Sequence, residues 1–208
     1  MISINNYIKG FKKIFPDQKN LLPWEITANL EAILNILLLK LDMNFEIKNG
    51  IAIHKSATIE NGVILKAPII ICENCFVGAH AYLRGGVYLG KSSLIGPSCE
   101  IKTSIILSKS AIAHFNFIGD SIIGNDVNFE AGAHTANHYN ERTDKSISVI
   151  VDSKNSATHT EKFGSLVGDN SKIGANAVLS PGTILMPGTI VKRLELIEQI
   201  WKPLTNEL

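Results

Sequence analysis

The sequence predicts an all-β protein whose chain coils into a parallel β-helix, with short helical segments at both ends. Aliphatic residues recur at every sixth position, small or β-branched residues stand two positions before them, and glycine or asparagine fills the intervals. A period of six matches neither an α-helix nor an alternating strand. It is typical of short strands joined by tight corners, with each coil stacked on the one before.

The aliphatic repeat begins at Ile53 and extends over most of the chain. The first block of residues expected to point into the core is Ile53, Ile59, Leu65, Ile71, Val77, Leu83, Leu89, Ile95, Ile101 and Leu107. The pattern resumes at Ile123 and Phe129, and again from Val167 to Val191. With three hexapeptides in a coil, residues 18 apart stack on the order of 4.8 Å from one another. The β-helix is therefore expected to span residues 51–192.

Three segments fall outside the repeat. Residues 1–50 contain Pro23 followed by good helix formers, which predicts a helical cap over the first coil. Residues 193–208 are expected to form a short helix that ends at Pro203. Between residues 133 and 162 the repeat disappears, and ordered excursions of this length are usually functional.

The composition excludes several classes of protein. A net charge of +1 gives no overall field for nucleic acid or an anionic membrane. The most apolar run, residues 32–41, is interrupted by polar residues and too short to span a bilayer. The N-terminus lacks the pattern of a signal peptide, so a cytoplasmic protein is expected. Cys72, Cys75 and Cys99 are then interpreted as reduced core residues, because no second cysteine or histidine pair completes a zinc site.

Two cations stand at equivalent positions of successive coils. Arg84 and Lys102 are 18 residues apart, and each directly follows an inward aliphatic residue, so both are expected to point outward. Two stacked cations with no acidic partner at the same position suit a phosphate. A pair of solvated surface charges is the alternative.

The repeat is interrupted between Ala113 and Gly132, where His114 enters. If Ala113 takes the next inward slot, His114 points outward on another face of the prism. In a trimer of prisms, that face can meet the Arg84/Lys102 corner of a neighbour. Histidine changes its protonation near neutral pH, as a general base must, although a purely structural histidine is the alternative.

The stretch from Arg84 to Lys162 resembles the acetyltransferase domain of the bifunctional N-acetylglucosamine-1-phosphate uridylyltransferase/glucosamine-1-phosphate acetyltransferase family. It is also similar to the β-helical tail of archaeal sugar-1-phosphate nucleotidylyltransferases. The resemblance is carried by the motifs AYLRGG, CEIK, AHFNFIGD, NDVNFEAG, TAN and KFGSLVGDN. It implies a single-stranded left-handed parallel β-helix of the hexapeptide-repeat acyltransferase superfamily. The segment before the repeat has neither the length nor the Gly-rich loop of a nucleotidylyltransferase domain.

The resemblance also implies roles for individual residues. His114 would be the base that deprotonates the attacking amine. The substrate-binding residues would be Arg84, Lys102 and Lys162 on the sugar phosphate, with Asn116, Asn128 and Asn137 at the sugar. Ala131, Ala175 and Arg193 would line an acetyl-CoA site between the subunits of a homotrimer. Attack of an amine on a thioester needs a base, an oxyanion donor and an anion clamp, but no metal.

The sequence therefore favours an acyl-CoA-dependent transferase, with acetyl-CoA as the expected donor and an amino sugar or sugar phosphate as acceptor. Two alternatives stay open. One is a non-catalytic β-helix, related to UDP-N-acetylglucosamine pyrophosphorylases, that binds a sugar nucleotide or assembles with a partner. The other is a γ-class carbonic anhydrase with zinc between subunits, for which His80, His134 and His138 are candidate ligands, although the His134–His138 spacing argues against it.

Overall fold

The computed structural model describes residues 2–151 and 154–198, and it shows a parallel β-helix with a helical N-terminal segment along one side. The helices are α1 Phe11–Ile14, α2 Pro23–Ala28 and α3 Leu30–Leu38, with 3₁₀ turns at Ile4–Asn6 and Pro16–Gln18. Helix α2 begins at Pro23, whose fixed φ suits the first helical position, and the Glu25 carboxylate accepts a 2.7 Å hydrogen bond from the Leu22 N–H.

The strands are short and follow one another in chain order. They are β1 Phe45–Lys48, β2 Ile51–His54, β3 Thr58–Ile59, β4 Ile64–Leu65, β5 Ile69–Ile71, β6 Phe76–Val77, β7 Tyr82–Leu89, β8 Leu94–Ile95, β9 Glu100–Ile106, β10 Ala111–Ile112, β11 Phe117–Gly119, β12 Ile122–Ile123, β13 Asn128–Phe129, β14 His134–Thr135, β15 Ser148–Val151, β16 Lys154–Ala157, β17 Ser165–Val167, β18 Lys172–Ile173, β19 Val178–Leu179, β20 Thr183–Leu185, β21 Ile190–Val191 and β22 Leu196–Ile197. The predicted fold class is confirmed.

The parallel strands form three faces of a prism. Face 1 contains β2, β5, the second halves of β7 and β9, β12, β17 and β20. Face 2 is a 7-stranded sheet in the order β21-β18-β13-β10-β8-β6-β3. Face 3 contains β4, the first halves of β7 and β9, β11, β14, β19 and β22. Strands β7 and β9 turn the corner from face 3 to face 1 without a break.

The repeat shortens earlier than the sequence pattern suggested. Coils are 18 residues apart where Tyr82 pairs with Glu100, but 17 apart where Glu100 pairs with Phe117. The prediction that Leu107 and Ala113 point into the core is therefore wrong, because Ile106 and Ile112 occupy those inward positions. Strand β9 turns its corner with the single residue Thr103, at a φ of 48°, where β7 uses two glycines.

The N-terminal segment packs against face 1 rather than over the first coil, which corrects the predicted cap. Outward side chains of face 1, including Ile70, Ile105 and Leu166, are fully buried beneath the segment. The segment supplies Phe15 and Leu34, also fully buried. Face 1 needs this cover because its outward positions are apolar, and burying each such side chain stabilises the fold by about 1.5–3 kcal/mol.

Asp169 anchors the start of the N-terminal segment to the β-helix. Its carboxylate accepts hydrogen bonds from the Lys9 N–H at 2.8 Å and the Asn125 N–H at 2.7 Å. Its own N–H donates to the carbonyl of Tyr7 at 3.0 Å. The carboxylate is almost buried, so these bonds replace its contacts with water.

The excursion predicted between residues 133 and 162 leaves the β-helix after Ala136 and returns before Ser165. Within it, β15 and β16 form an antiparallel hairpin. Its base is closed by a 3.0 Å hydrogen bond from the Phe163 N–H to the Asn137 carbonyl. The Phe163 ring packs edge-on against Trp24, with centroids 5.8 Å apart, which ties the excursion to the N-terminal segment.

The β-helix continues beyond residue 192, where the sequence suggested a helix. Leu196 and Ile197 form β22 and pair with β19, because Ile197 extends the six-residue spacing of Leu185 and Val191. The rest of the expected C-terminal helix, residues 199–208, lies outside the described residues. Within the described ranges, no helix has the length and apolar character needed to cross a membrane.

Candidate functional site

Four of the predicted site residues stack in one column at the corner between faces 2 and 3. His114, Ala131, Ala175 and Arg193 occupy equivalent positions on successive coils, as the pairing of Ala111, Asn128, Lys172 and Ile190 requires. Backbone hydrogen bonds connect the column, from Gly132 N–H to His114 O at 3.0 Å, from Asn176 N–H to Ala131 O at 3.0 Å and from Leu194 N–H to Ala175 O at 2.9 Å. We call these four residues the histidine ladder. They bring the predicted base and the predicted coenzyme residues together.

The His114 side chain is exposed at this corner. Its ring lies edge-on to Phe115, with centroids 5.5 Å apart, and Phe115 is 64% exposed. No hydrogen bond to the imidazole is found within the part of the chain that the structure describes. Both ring nitrogens are therefore open to a ligand from solvent or from another subunit.

Asn116 does not fit its predicted role at the sugar. It is only 2% exposed, its side-chain NH₂ donates to the His114 carbonyl at 3.2 Å, and its amide oxygen accepts from the Ala133 N–H at 2.8 Å. It occupies the small-residue slot that Cys99 and Ala133 fill in neighbouring coils. The side chain therefore fixes the backbone that presents His114, because both ends of its amide are already bonded.

Arg193, at the last position of the ladder, is held by Glu130. Its Nε and Nη2 atoms each lie 2.7 Å from a Glu130 carboxylate oxygen, and Glu130 also accepts the Ala175 N–H at 2.9 Å. The Arg193 hydrogen bonds, followed by the Ala175 N–H, lower the pKa of the Glu130 carboxyl. Arg193 and Glu130 line an open cavity of about 690 Å³ with Asn128 and Lys172. Sequence reasoning missed Glu130, although it directly precedes Ala131.

A second site lies at the corner between faces 3 and 1. Arg84, Lys102 and Lys162, the three cations predicted to bind a sugar phosphate, line one cleft of about 630 Å³. Helices α2 and α3 close one side of this cleft with Thr27, Ala28 and Glu31. We call this the cation cleft. Lys162 comes from the end of the excursion, so the cleft requires the excursion, the N-terminal segment and three successive coils.

The stacked cations do have acidic partners, although neither partner stands at the same position of the neighbouring coil. Arg84 Nη2 lies 2.6 Å from Glu100 Oε1, and Lys102 Nζ lies 2.6 Å from Asp120 Oδ2. The Asn137 amide also donates to Asp120 Oδ2, which places Asn137 beside the cleft. Glu100 lies diagonally across the sheet from Arg84, because it is the direct partner of Tyr82. The 18-residue spacing identifies only directly stacked residues, so it does not predict this pair. Lys162 makes no ion pair to any described residue.

The histidine ladder and the cation cleft lie along the two edges of face 3. His114 precedes β11 and Asp120 follows it, so the width of the face separates them within one subunit. Asn128, predicted at the sugar, lies on face 2 beside Arg193 and not in the cation cleft. One subunit therefore does not bring His114 to the cations that were predicted to bind phosphate.

The candidate metal ligands do not converge. Within residues 2–151 and 154–198, no group of three or more histidine, cysteine or acidic side chains is arranged to hold a metal, so His80, His134 and His138 form no site in one subunit. Burial raises the pKa of the Cys72 thiol to about 11 and also raises that of Cys75. These neutral thiols behave as core side chains.

Comparison with known proteins identifies matches to most of the chain. The profile described as the GMPPB C-terminal domain matches residues 47–159, and that described as the hexapeptide repeat of succinyl-transferase matches residues 164–186. "Bifunctional protein GlmU" of Methanococcus vannielii is 31% identical over 156 residues, which cover 72% of this chain and 36% of the relative. A "Bifunctional sugar-1-phosphate nucleotidylyltransferase/acetyltransferase" of Sulfurisphaera tokodaii is 32% identical over 152 residues, covering 70% and 37%.

The chain spans little more than a third of the length of these curated relatives. Among solved structures, a mutant perosamine N-acetyltransferase from Caulobacter crescentus, in complex with CoA and GDP-perosamine, matches at a TM-score of 0.33 and 15% identity. That match covers 69% of this chain and 53% of the other. A similarity of this size carries no argument about function.

Proposed function

The chain belongs to the family described as the GMPPB C-terminal domain, and on that basis we propose that it is an acyl-CoA-dependent transferase. The donor is acetyl-CoA or another acyl-CoA, and the acceptor is an amino sugar or sugar phosphate. One observation carries the proposal. The predicted phosphate-binding cations converge in the cation cleft, while the predicted base and coenzyme residues stack in the histidine ladder. The name of the Sulfurisphaera tokodaii relative, which includes an acetyltransferase, supports the same reaction class.

The cation cleft would bind the phosphate of the acceptor. Lys162 is exposed and makes no ion pair to a described residue, so its ammonium can bind an anion without breaking an existing ion pair. Arg84 has a planar guanidinium whose N–H donors suit phosphate oxygens. To bind a phosphate, it would give up part of its ion pair with Glu100. Lys102 stays bound to Asp120, which is 8% exposed, and adds positive charge at the floor of the cleft.

His114 would act as the general base. As the acceptor amine attacks the thioester carbonyl, a nitrogen–carbon bond forms and the imidazole takes a proton from the amine. The carbon–sulfur bond then breaks, and the proton leaves with the coenzyme thiolate. General base catalysis of this kind contributes roughly 10²–10⁴-fold to the rate. The reaction requires no metal or redox cofactor.

The two sites would meet between the subunits of a homotrimer. Because they lie on opposite edges of face 3, the ladder of one subunit can approach the cleft of the next when three prisms pack side by side. Ala131, Ala175 and Arg193 would then lie along the coenzyme, with Arg193 exchanging Glu130 for an anionic group of the ligand.

Calorimetry with acetyl-CoA, followed by acetyl transfer to glucosamine 1-phosphate, tests the proposal. We expect binding of the coenzyme and turnover with at least one acceptor in a panel of amino sugars and acyl-CoAs. Absence of both coenzyme binding and turnover would overturn it.

A non-catalytic β-helix that binds a sugar nucleotide or assembles with a partner is the second candidate. The ion pairs of Arg84, Lys102 and Arg193 with neighbouring carboxylates favour it, because each pair already satisfies a cation that the enzyme would use. Under this alternative, a sugar nucleotide binds in calorimetry while acetyl-CoA does not.

A further inference from the structure

The first coil of the β-helix is open at its outer end. Its inward residues Ile53, Ile59 and Leu65 are partly exposed, whereas the equivalent residues of the second coil, among them Ile71 and Val77, are fully buried. The N-terminal segment packs along face 1 and leaves this end uncovered. Strand β1 extends only face 1, where it pairs antiparallel with β2.

At the outer edge of β1, the backbone groups of Ile47 bond to no residue that the structure describes. A two-residue turn, Asn49–Gly50, joins β1 to β2, with φ values of 49° and 75°. In such a hairpin, Lys48 and every second residue before it direct their backbone groups toward β2, as the Lys55 N–H to Asn44 O bond of 2.9 Å confirms. The N–H and C=O of Ile47 therefore point away from β2, along the edge.

The charges on β1 favour pairing with a second copy of β1, and they disfavour two alternative registers. In an antiparallel pair of β1 strands centred on Ile47, Glu46 lies opposite Lys48 in both halves of the pair. Centring the pair on Glu46 or on Lys48 would instead place like charges opposite each other, which is destabilising. Both side chains are exposed, and neither makes an ion pair to any described residue. Ile47, which is 50% exposed, would contact its own copy.

We propose that the outer edge of β1 is an interface with a second copy of this chain. The two β1 strands pair antiparallel about Ile47, and face 1 continues as one sheet from one copy into the other. The contact is end to end and related by a twofold axis, so it is distinct from side-by-side packing of prisms. Where both contacts form, two trimers combine into a hexamer.

A disulfide across the twofold axis tests the register. Directly opposed residues that exchange hydrogen bonds lie about 5.5 Å apart between Cα atoms, a separation that a disulfide spans. Ile47→Cys should therefore cross-link to itself under mild oxidation. Met186→Cys, at a residue of the last coil that is 58% exposed, is the matched control. Dimer formation at least about tenfold faster for Ile47→Cys supports the interface, and equal rates overturn it.

A charge exchange tests the same contact without new cysteines. Glu46→Lys places lysines opposite each other, so sedimentation should show an assembly of half the wild-type mass, with an unchanged circular dichroism spectrum. The double variant Glu46→Lys/Lys48→Glu restores opposite charges and should recover the full mass. The same mass for all three proteins would overturn the proposal, whether or not the protein transfers acyl groups.

Discussion

The ammonium of Lys102 lies 2.6 Å from the carboxylate of Asp120, and both side chains are largely buried at the floor of the cation cleft. The pair holds one of the cations proposed to bind phosphate in place and partly neutralises its charge. The Lys102–Asp120 pair should therefore stabilise the folded cleft and, at the same time, weaken its affinity for anions.

Asp120→Asn separates these two effects. Loss of the carboxylate leaves a largely buried ammonium without its counter-charge, so the free energy of unfolding should fall by about 1–3 kcal/mol. The freed Lys102 should bind inorganic phosphate more tightly. We expect a larger phosphate-induced rise in melting temperature than in wild type. Glu73→Gln is the control, because it removes the partner of Lys91 in an exposed ion pair. It should lower the free energy of unfolding by less than about 1 kcal/mol. The phosphate-induced rise in its melting temperature should equal that of wild type. An unaltered phosphate response in Asp120→Asn would contradict this function of the pair.

His114→Ala should abolish acyl transfer without unfolding the protein. The imidazole is exposed, has no hydrogen bond to a described residue and packs edge-on against the exposed Phe115 ring, so its removal leaves the core intact. We expect turnover to fall by roughly 10²–10⁴-fold, the contribution of a general base, while the melting temperature and coenzyme affinity stay unchanged. His54→Ala, in the first coil, is the control and should retain turnover. Full activity of the His114 variant would remove it from the mechanism.

Asp169→Ala should loosen the N-terminal segment. The substitution removes the acceptor for the Lys9 and Asn125 N–H groups at a nearly buried position. We expect a loss of about 3 kcal/mol in urea unfolding. Hydrogen exchange in residues 4–15 should also become faster. Asp17→Ala, which breaks only an exposed pair with Lys40, should change stability by less than about 0.5 kcal/mol. Equal effects of the two variants would mean that Asp169 does not anchor the segment.

The buried thiols predict a loss of stability at alkaline pH. Burial raises the pKa of Cys72 from 9.0 to about 11, and it also raises that of Cys99. The contribution of these neutral thiols to the free energy of unfolding is complete below the unfolded-state pKa of 9.0. It is lost as the pH rises through the pKa of the folded state. The urea midpoint should therefore fall as the pH rises from about 9 to about 11, and it should fall less in Cys72→Ala. The same pH dependence in both proteins would contradict the assignment to Cys72.

Periodicity predicted the stacking of the site well. A spacing of 18 placed Arg84 beneath Lys102, and the structure pairs these residues across adjacent strands. The same rule fails after Ile101, because the corner at Thr103 has one residue fewer. Hydrophobicity alone does not distinguish Ile106 from Leu107 as the inward residue, since both are buried, one in the prism and one beneath the N-terminal segment.

Contacts between distant segments could not be predicted from the pattern. Asp169 binding Lys9, and Glu31 closing the cation cleft, both depend on where the N-terminal segment docks. The apolar outward positions of face 1, such as Ile70 and Ile105, do carry a signal for this docking. They show that face 1 must be covered, although they do not specify by which segment.

Mixing inactive subunits tests the shared site most directly. One variant is His114→Ala, and the other, Arg84→Ala/Lys162→Ala, keeps the ladder but lacks two cations of the cleft. If each site combines the ladder of one subunit with the cleft of the next, random assembly into trimers leaves about a quarter of the sites with both parts intact. We therefore predict that co-assembled subunits recover about a quarter of wild-type acyl transfer. Activity no higher than that of the separate variants would contradict a site formed between subunits.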